Sequence, residues 1–313
     1  MSKKAFFYID DVIWVFRDLT RNRPASIFDH PFLRLLKDGH QKYGMKTQLN
    51  IFYQTDENFY GYDHFNLSEM TDAYKDEWQE ACKWLKFGFH SRQEFPDYPY
   101  INADYDDVMF DFKRMEKEVL RFAGENMIAK GCTPHWRPIS KDACLALRDC
   151  GIKLISATYG RKISYNGPDD LPYGHAARLL CNRKPETSIF IRDTYDVAIS
   201  KSLCGYNHIT EEQREKTMYN FDCIKDEQTG LFFKDIGNIL CVNHHTLESI
   251  KPITEEKMGV DFYAYGTHEQ YFFPEYFAYQ QDYSEKVLHV AKRLYENGYE
   301  YIFSQDLVTY SEK

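Results

Sequence analysis

Short apolar segments alternate with longer amphipathic segments along most of the chain. The short segments are rich in aromatic and β-branched residues, which is typical of strands in βα units around a mostly parallel sheet. The pattern predicts strands at residues 5–10, 47–53, 86–90, 133–137, 152–157 and 239–242. One more strand is expected at either 262–267 or 301–303.

The amphipathic segments between these strands predict helices with recognisable ends. Residues 66–85 carry Ser68 ahead of an acidic first turn, and residues 140–151 run from a serine cap to a glycine. The segment 105–124 also ends on a glycine, which is the usual residue just beyond a helix. Residues 282–298 repeat this design near the C-terminus.

The alternation of strands and helices is interrupted between about residue 159 and residue 235. This range contains Pro168, Pro172 and Pro185 together with several charged turns. We therefore predict a single domain over residues 1–313, an α/β barrel that carries a long insertion at about 159–235.

Composition excludes several classes of protein. The net charge of −9, with acids and bases interspersed, disfavours a nucleic-acid partner. The eight cysteines include no CxxC pair, which indicates reduced thiols in a cytoplasmic protein. Two lysines precede the first apolar run as in a signal peptide, but Asp10 and Asp11 interrupt that run. No apolar stretch is long enough to span a bilayer, so no membrane partner is expected.

Two adjacent carboxylates, Asp10 and Asp11, end the first predicted strand inside the apolar segment FFYIDDVIWVF. A buried carboxylate is costly unless it is paired or bound to a metal ion. In parallel α/β folds the functional residues lie at the C-terminal ends of the strands. The pair therefore indicates a metal-dependent hydrolase site, and a turn or a helix cap is the alternative.

Other predicted strands also end in polar side chains. His90 ends the third, and Glu94 would share a helix face with it if the chain became helical there. One imidazole and two carboxylates could hold a divalent cation and leave positions open for water and substrate. The fourth strand and the last segment supply His135, Arg137 and His268.

Each of these residues also has an ordinary structural interpretation. A histidine and a glutamate four residues apart are common on solvated helix faces. Arg137 could bind a helix C-terminus, and His268 could be a buried histidine with satisfied hydrogen bonds. The weaker candidates for the site are His135, His244 and His245.

Together, these motifs resemble the polysaccharide deacetylase superfamily, also called the NodB-like proteins or family 4 carbohydrate esterases. The resemblance implies a distorted (β/α)7-type barrel of the glycoside hydrolase/deacetylase kind. It implies that Asp10 is the catalytic base and that Asp11 and His90 are metal ligands. Glu94 stands where the family has its second histidine ligand.

The resemblance covers roughly residues 5–157 and 239–303. It further implies that Arg137, in the place of the family's Arg-x-Pro motif, pairs with the base and that His268 is the general acid. The implied cofactor is a divalent metal ion, with zinc first and nickel, cobalt, iron or manganese as alternatives. Glu94 makes the ligand set harder than a pair of histidines would.

The activity implied by this resemblance is hydrolysis of an amide bond. The enzyme would remove an acetyl or related acyl group from the nitrogen of an N-acylated sugar or glycoconjugate, so the partner is a small-molecule or oligosaccharide substrate. The alternative is a non-catalytic carbohydrate-binding protein on the same fold, with some of the 25 Tyr and 23 Phe forming a binding cleft. Bound metal would favour the enzyme, and an aromatic groove without metal would favour the binding protein.

Overall fold

The predicted α/β class is confirmed. The computed structural model describes residues 2–56, 64–95, 99–100, 103–137, 139–156, 211–234 and 240–311. The strands are β1 Lys4–Val12, β2 Thr47–Phe52, β3 Leu85–Ser91, β4 Gly131–Cys132, β5 Leu154–Ile155, β6 Ile224–Lys225, β7 Phe232–Phe233, β8 Leu240–Cys241, β9 Phe262–His268 and β10 Glu300–Tyr301. The helices are α1 Trp14–Asn22, α2 Pro31–Tyr43, α3 Lys75–Ala81, α4 Tyr105–Phe122, α5 Lys141–Asp149, α6 Glu211–Met218, α7 Leu247–Glu256, α8 Tyr283–Glu296 and α9 Val308–Ser311.

The strands form two sheets that outline a barrel. The first has the order β3-β2-β1-β9-β8, with parallel pairing throughout, and β10 pairs with the start of β1. The second has the order β4-β5-β7-β6, in which only β6 is antiparallel to its neighbour. A parallel bridge between Phe87 and Ile128 links the two sheets. Within the described residues no strand pairing joins β6 to β8.

Both faces of β1 are buried, and the alternation of its side chains separates two parts of the core. Phe7 and Ile9 belong to the larger apolar cluster, which includes buried side chains of the surrounding helices. Phe6 and Tyr8 belong to a smaller cluster with side chains of β5, β7 and β9, which fills the barrel interior. Because side chains of a strand alternate between its faces, Asp10 continues the inward set.

The strand predictions are confirmed except at the fourth position. Strands lie at both of the alternative C-terminal segments, in β9 and in β10. The strand predicted at 133–137 is wrong, because the strand is Gly131–Cys132 and the following residues form a turn. Trp136 and Arg137 adopt φ angles of 60° and 70°, which a strand does not contain.

The helices α4, α5 and α8 confirm the predicted segments, but α3 is shorter than expected. Asn66 caps a single 3₁₀ turn at Leu67–Glu69 and not the start of a long helix. The Thr71 hydroxyl then accepts a hydrogen bond from the amide of Ala73 (3.2 Å). Such local side-chain bonds compete with helix formation, and α3 begins only at Lys75.

Most of the predicted insertion lies outside the described residues, which resume at residue 211. The last part of the range 159–235 forms α6, β6 and β7, and Phe232 of β7 pairs with Leu154 of β5. These residues are therefore part of the second sheet. The single-domain boundaries stay a prediction. No described helix combines the length and the apolar character that a membrane span requires.

Gly266 allows β9 to approach the ring of Tyr8, its register partner on β1. A Cβ atom at this position would overlap three atoms of that buried ring. We expect Gly266→Ala to lower the free energy of unfolding by about 1–3 kcal/mol, as overpacking does in other cores. Urea denaturation measures this change. In a Tyr8→Leu background the same substitution should cost less, and an equal cost in both backgrounds would contradict the explanation.

Candidate metal centre

Three buried side chains bring possible metal ligands together at one end of the barrel. The ligand atoms of Asp11, His90 and His135 all lie within 4.8 Å of one another. The described part of the chain contains no other group of three histidine, cysteine or acidic side chains this close together. Asp11 Oδ1 is 3.1 Å from His90 Nε2 and 3.3 Å from His135 Nδ1. The two imidazole nitrogens are 3.1 Å apart.

The outer nitrogens of both imidazoles are held by main-chain carbonyl groups. His90 Nδ1 lies 2.6 Å from the oxygen of Thr133, and His135 Nε2 lies 2.9 Å from the oxygen of Glu94. Because a carbonyl oxygen only accepts, each of these nitrogens donates its proton. In the neutral rings the two inner nitrogens therefore present lone pairs to each other and to the Asp11 carboxylate. That arrangement needs a cation, either a proton or a metal ion, to hold it together.

A local distortion of β1 directs two adjacent carboxylates to the same end of the barrel. Asp11 adopts a φ of 62°, and the pairing of β1 with β2 shifts register between Ile9 and Val12. In a regular strand Asp10 and Asp11 would point to opposite faces. A bulge re-aims a side chain, and aspartate tolerates the left-handed conformation better than most residues.

His135 reaches the site through the turn that follows β4. Its main-chain amide donates to the carbonyl oxygen of His90 (3.0 Å), which places the two imidazoles side by side. The ring of Phe52 packs against both, with centroid distances of 5.3 Å to His90 and 5.0 Å to His135. The left-handed residues Trp136 and Arg137 then turn the chain away.

The two carboxylates have opposite electrostatic environments. Burial raises the pKa of Asp10, although the positive charge of His90 opposes this effect. Burial acts on Asp11 too, but hydrogen bonds from His135 and His90 hold the pKa of Asp11 well below its usual value. Burial lowers the pKa of His90, but the charge of Asp10 and the hydrogen bond to Asp11 outweigh it and the pKa is raised. Asp11 thus suits an ionised ligand, and Asp10 is the better proton acceptor.

The structure places the remaining predicted site residues around this centre. Asp10 and His268 are register partners on β1 and β9. His268 Nε2 is 4.0 Å from Asp11 Oδ2, and its Nδ1 is 3.0 Å from Asn243 Oδ1. The guanidinium of Arg137 donates to the Tyr8 hydroxyl (3.3 Å), and its charge partly opposes the rise that burial causes in the pKa of Asp10.

Glu94 lies beside this group, but its carboxylate is not one of the gathered ligand atoms. The chain does not become helical after His90, the condition for a shared helix face, because β3 ends at Ser91 and residues 92–94 form bends. The carboxylate of Glu94 instead accepts a hydrogen bond from Gln270 Nε2 (3.3 Å). Sequence analysis places His135 among the weaker candidates, and the signal for it is its position near the end of the fourth predicted strand.

Comparisons with known proteins show a likeness of fold. No family model matches the sequence, and the curated proteins give no match. A 4-alpha-glucanotransferase from Thermococcus litoralis is similar in structure over 99% of this chain, with 11% identity and a TM-score of 0.50. The chain spans 40% of the length of that enzyme.

Other similar solved structures include an esterase and a deacetylase. A family 4 acetyl xylan esterase from Clostridium thermocellum, in complex with a cobalt ion, has 11% identity and a TM-score of 0.42, over 98% of this chain and 91% of that one. A peptidoglycan deacetylase from Bacillus subtilis has 9% identity and a TM-score of 0.42, over 99% and 92%. At identities of 9% and 11%, these likenesses concern the fold alone.

Proposed function

We propose that the protein is a metal-dependent hydrolase that removes an acetyl or related acyl group from the nitrogen of an N-acylated sugar or glycoconjugate. The observation that carries the proposal is the convergence of Asp11, His90 and His135, whose inner ligand atoms face one another while the outer imidazole nitrogens are held by main-chain carbonyl groups. Two imidazole nitrogens and one carboxylate oxygen leave coordination positions open for water and substrate, as catalytic metal sites require.

The donor set fits a divalent cation. Two imidazoles and one carboxylate suit zinc, and also cobalt, nickel, iron or manganese. When bound, the ion would polarise the scissile carbonyl and lower the pKa of a bound water. The hydrogen bonds from His90 to Thr133 and from His135 to Glu94 fix both rings in the orientation for ligation.

The proton transfers belong to residues around the ligands. Asp10 takes a proton from the attacking water, since burial raises its pKa and makes it the more basic carboxylate. Arg137 holds its charge near that carboxylate. His268 donates a proton from Nε2 to the leaving amine, while its Nδ1–H is held by Asn243 Oδ1. This pairing directs Nε2 toward the metal ligands.

Metal analysis combined with an acetate-release assay tests this function. We expect the purified protein to contain near-stoichiometric metal and to release acetate from N-acetylated chito-oligosaccharides. Asp10→Asn should keep the metal and lower kcat by about 10²–10⁴-fold, the usual loss when a general base is removed. Metal-free protein that binds the oligosaccharide without releasing acetate would support the carbohydrate-binding alternative.

A further inference from the structure

A line of buried polar side chains crosses the barrel interior and ends at Asp10. The Ser304 hydroxyl donates to Gln48 Oε1 (3.0 Å), and Gln48 Nε2 donates to Asn50 Oδ1 (2.8 Å). Asn50 Nδ2 then donates to Asp10 Oδ1 (2.6 Å). Gln48, Asn50 and Ser304 have no exposed surface. Buried amides in a barrel interior are costly unless every group is paired, so their presence calls for an explanation.

The directions of the hydrogen bonds in this line are fixed by two acceptors, the carbonyl oxygen of Gly131 and the carboxylate of Asp10. Gln48 Nε2 also donates to the carbonyl oxygen of Gly131 (3.3 Å), which can only accept. The amide of Gln48 therefore cannot flip, and Asn50 must present its oxygen to Gln48. The Asn50 NH₂ group is then directed at Asp10, whose carboxylate accepts.

Glycines leave the space that these side chains occupy. A Cβ atom at Gly88 on β3 would overlap both Asn50 Oδ1 and Gln48 Nε2. A Cβ atom at Gly131 on β4 would overlap the Ser304 hydroxyl. The neighbouring strands thus have glycines where any larger residue would displace the polar side chains of this line.

We infer that Asn50 is the positioning residue of the catalytic base, and that Gln48, held by the carbonyl of Gly131, fixes the orientation of Asn50. The inference rests on the proposed function, in which Asp10 accepts a proton. Asn50 holds Oδ1 of Asp10, and no described residue forms a hydrogen bond with Oδ2. The line therefore selects one rotamer of Asp10 and leaves Oδ2 to receive the proton.

The test compares Asn50→Leu with the wild type in metal content, steady-state kinetics and a crystal structure. We expect unchanged metal content and KM and a loss in kcat of about 10- to 100-fold, since small misplacements of a reacting group cost this much. In the crystal structure the Asp10 carboxylate should leave its wild-type rotamer. Gln48→Met should also lower kcat at unchanged KM, although residue 48 does not contact Asp10, because a thioether cannot donate to Asn50 Oδ1.

Ser304→Ala is the matched control, because it removes only the far end of the line and should change kcat by less than about threefold. The inference is overturned if the wild type is active and Asn50→Leu has the same kcat. It is also overturned if Asp10 keeps its rotamer in that variant. If the wild type releases no acetate but Asp10 rotates in the variant, the positioning role stands and the proposed function fails.

Discussion

His135→Ala should abolish stoichiometric metal binding. The imidazole supplies one of the three ligand atoms gathered among the described residues, at 3.1 Å from His90 Nε2 and 3.3 Å from Asp11 Oδ1. Changes to groups that merely orient a ligand already cost about 10–100-fold in affinity, so loss of a ligand should cost more than about 100-fold. Competition with a chelator, followed by elemental analysis, measures the affinity. His90→Ala and Asp11→Asn should behave in the same way.

Glu94→Gln is the matched control for this experiment. The substitution removes the carboxylate predicted as a ligand from sequence but keeps the main-chain carbonyl that holds His135. Glutamine can also pair with Gln270, the residue that the carboxylate contacts. We expect its metal content to match the wild type. Metal loss in Glu94→Gln together with full binding by His135→Ala would instead place the ligands at the pair four residues apart.

Strand-end reasoning located much of the candidate site from the sequence. Asp10, Asp11 and His90 lie at the ends of β1 and β3, and these strands are recognisable because their apolar runs are long and local. Parallel pairing of β1 with β2 and of β2 with β3 then brings those ends to one edge. His268 follows by the same logic from β9, the neighbour of β1 on the other side.

Sequence patterns indicate the contribution of His135 only weakly and do not indicate the polar line. His135 enters the site through a turn that contains left-handed Trp136 and Arg137, after a strand of two residues. Neither feature has a periodic pattern. Gln48 and Asn50 alternate with apolar residues on β2, and such alternation ordinarily indicates a solvent-facing side. In this barrel that side faces the interior, so the polar residues are buried.

Glu269 connects the end of β9, beside the metal centre, to the start of helix α1. The carboxylate is fully buried and accepts hydrogen bonds from the amides of Ile13 (2.7 Å), Trp14 (2.7 Å) and Val15 (2.9 Å). These amides lie at the start of α1, where the first N–H groups of a helix have no partners within the helix. Since Glu269 directly follows His268, the contact ties the end of β9 to the end of β1, which carries Asp11.

Glu269→Ala should strongly destabilise the fold. Three buried amides would lose their acceptor, and each unsatisfied group costs about 1–3 kcal/mol. We therefore expect the free energy of unfolding to fall by at least about 3 kcal/mol, measured by chemical denaturation of the metal-free protein. Glu269→Gln keeps one oxygen for Ile13 and Trp14 but loses the acceptor for Val15, so it should cost less. A change below about 1 kcal/mol in the alanine variant would show that water replaces the carboxylate.

The pH dependence of stability gives a second test of Glu269. Burial raises the pKa of this carboxyl to about 8, against the opposing effect of the three amide donors, from a usual value of 4.5. Between these two pH values the native state binds a proton that the unfolded state has released, so stability falls as the pH rises. Glutamine does not titrate, and the stability of the wild type relative to Glu269→Gln should therefore decline from pH 5 to above pH 8. Parallel profiles for the two proteins would mean that the amide donors outweigh burial and keep Glu269 ionised.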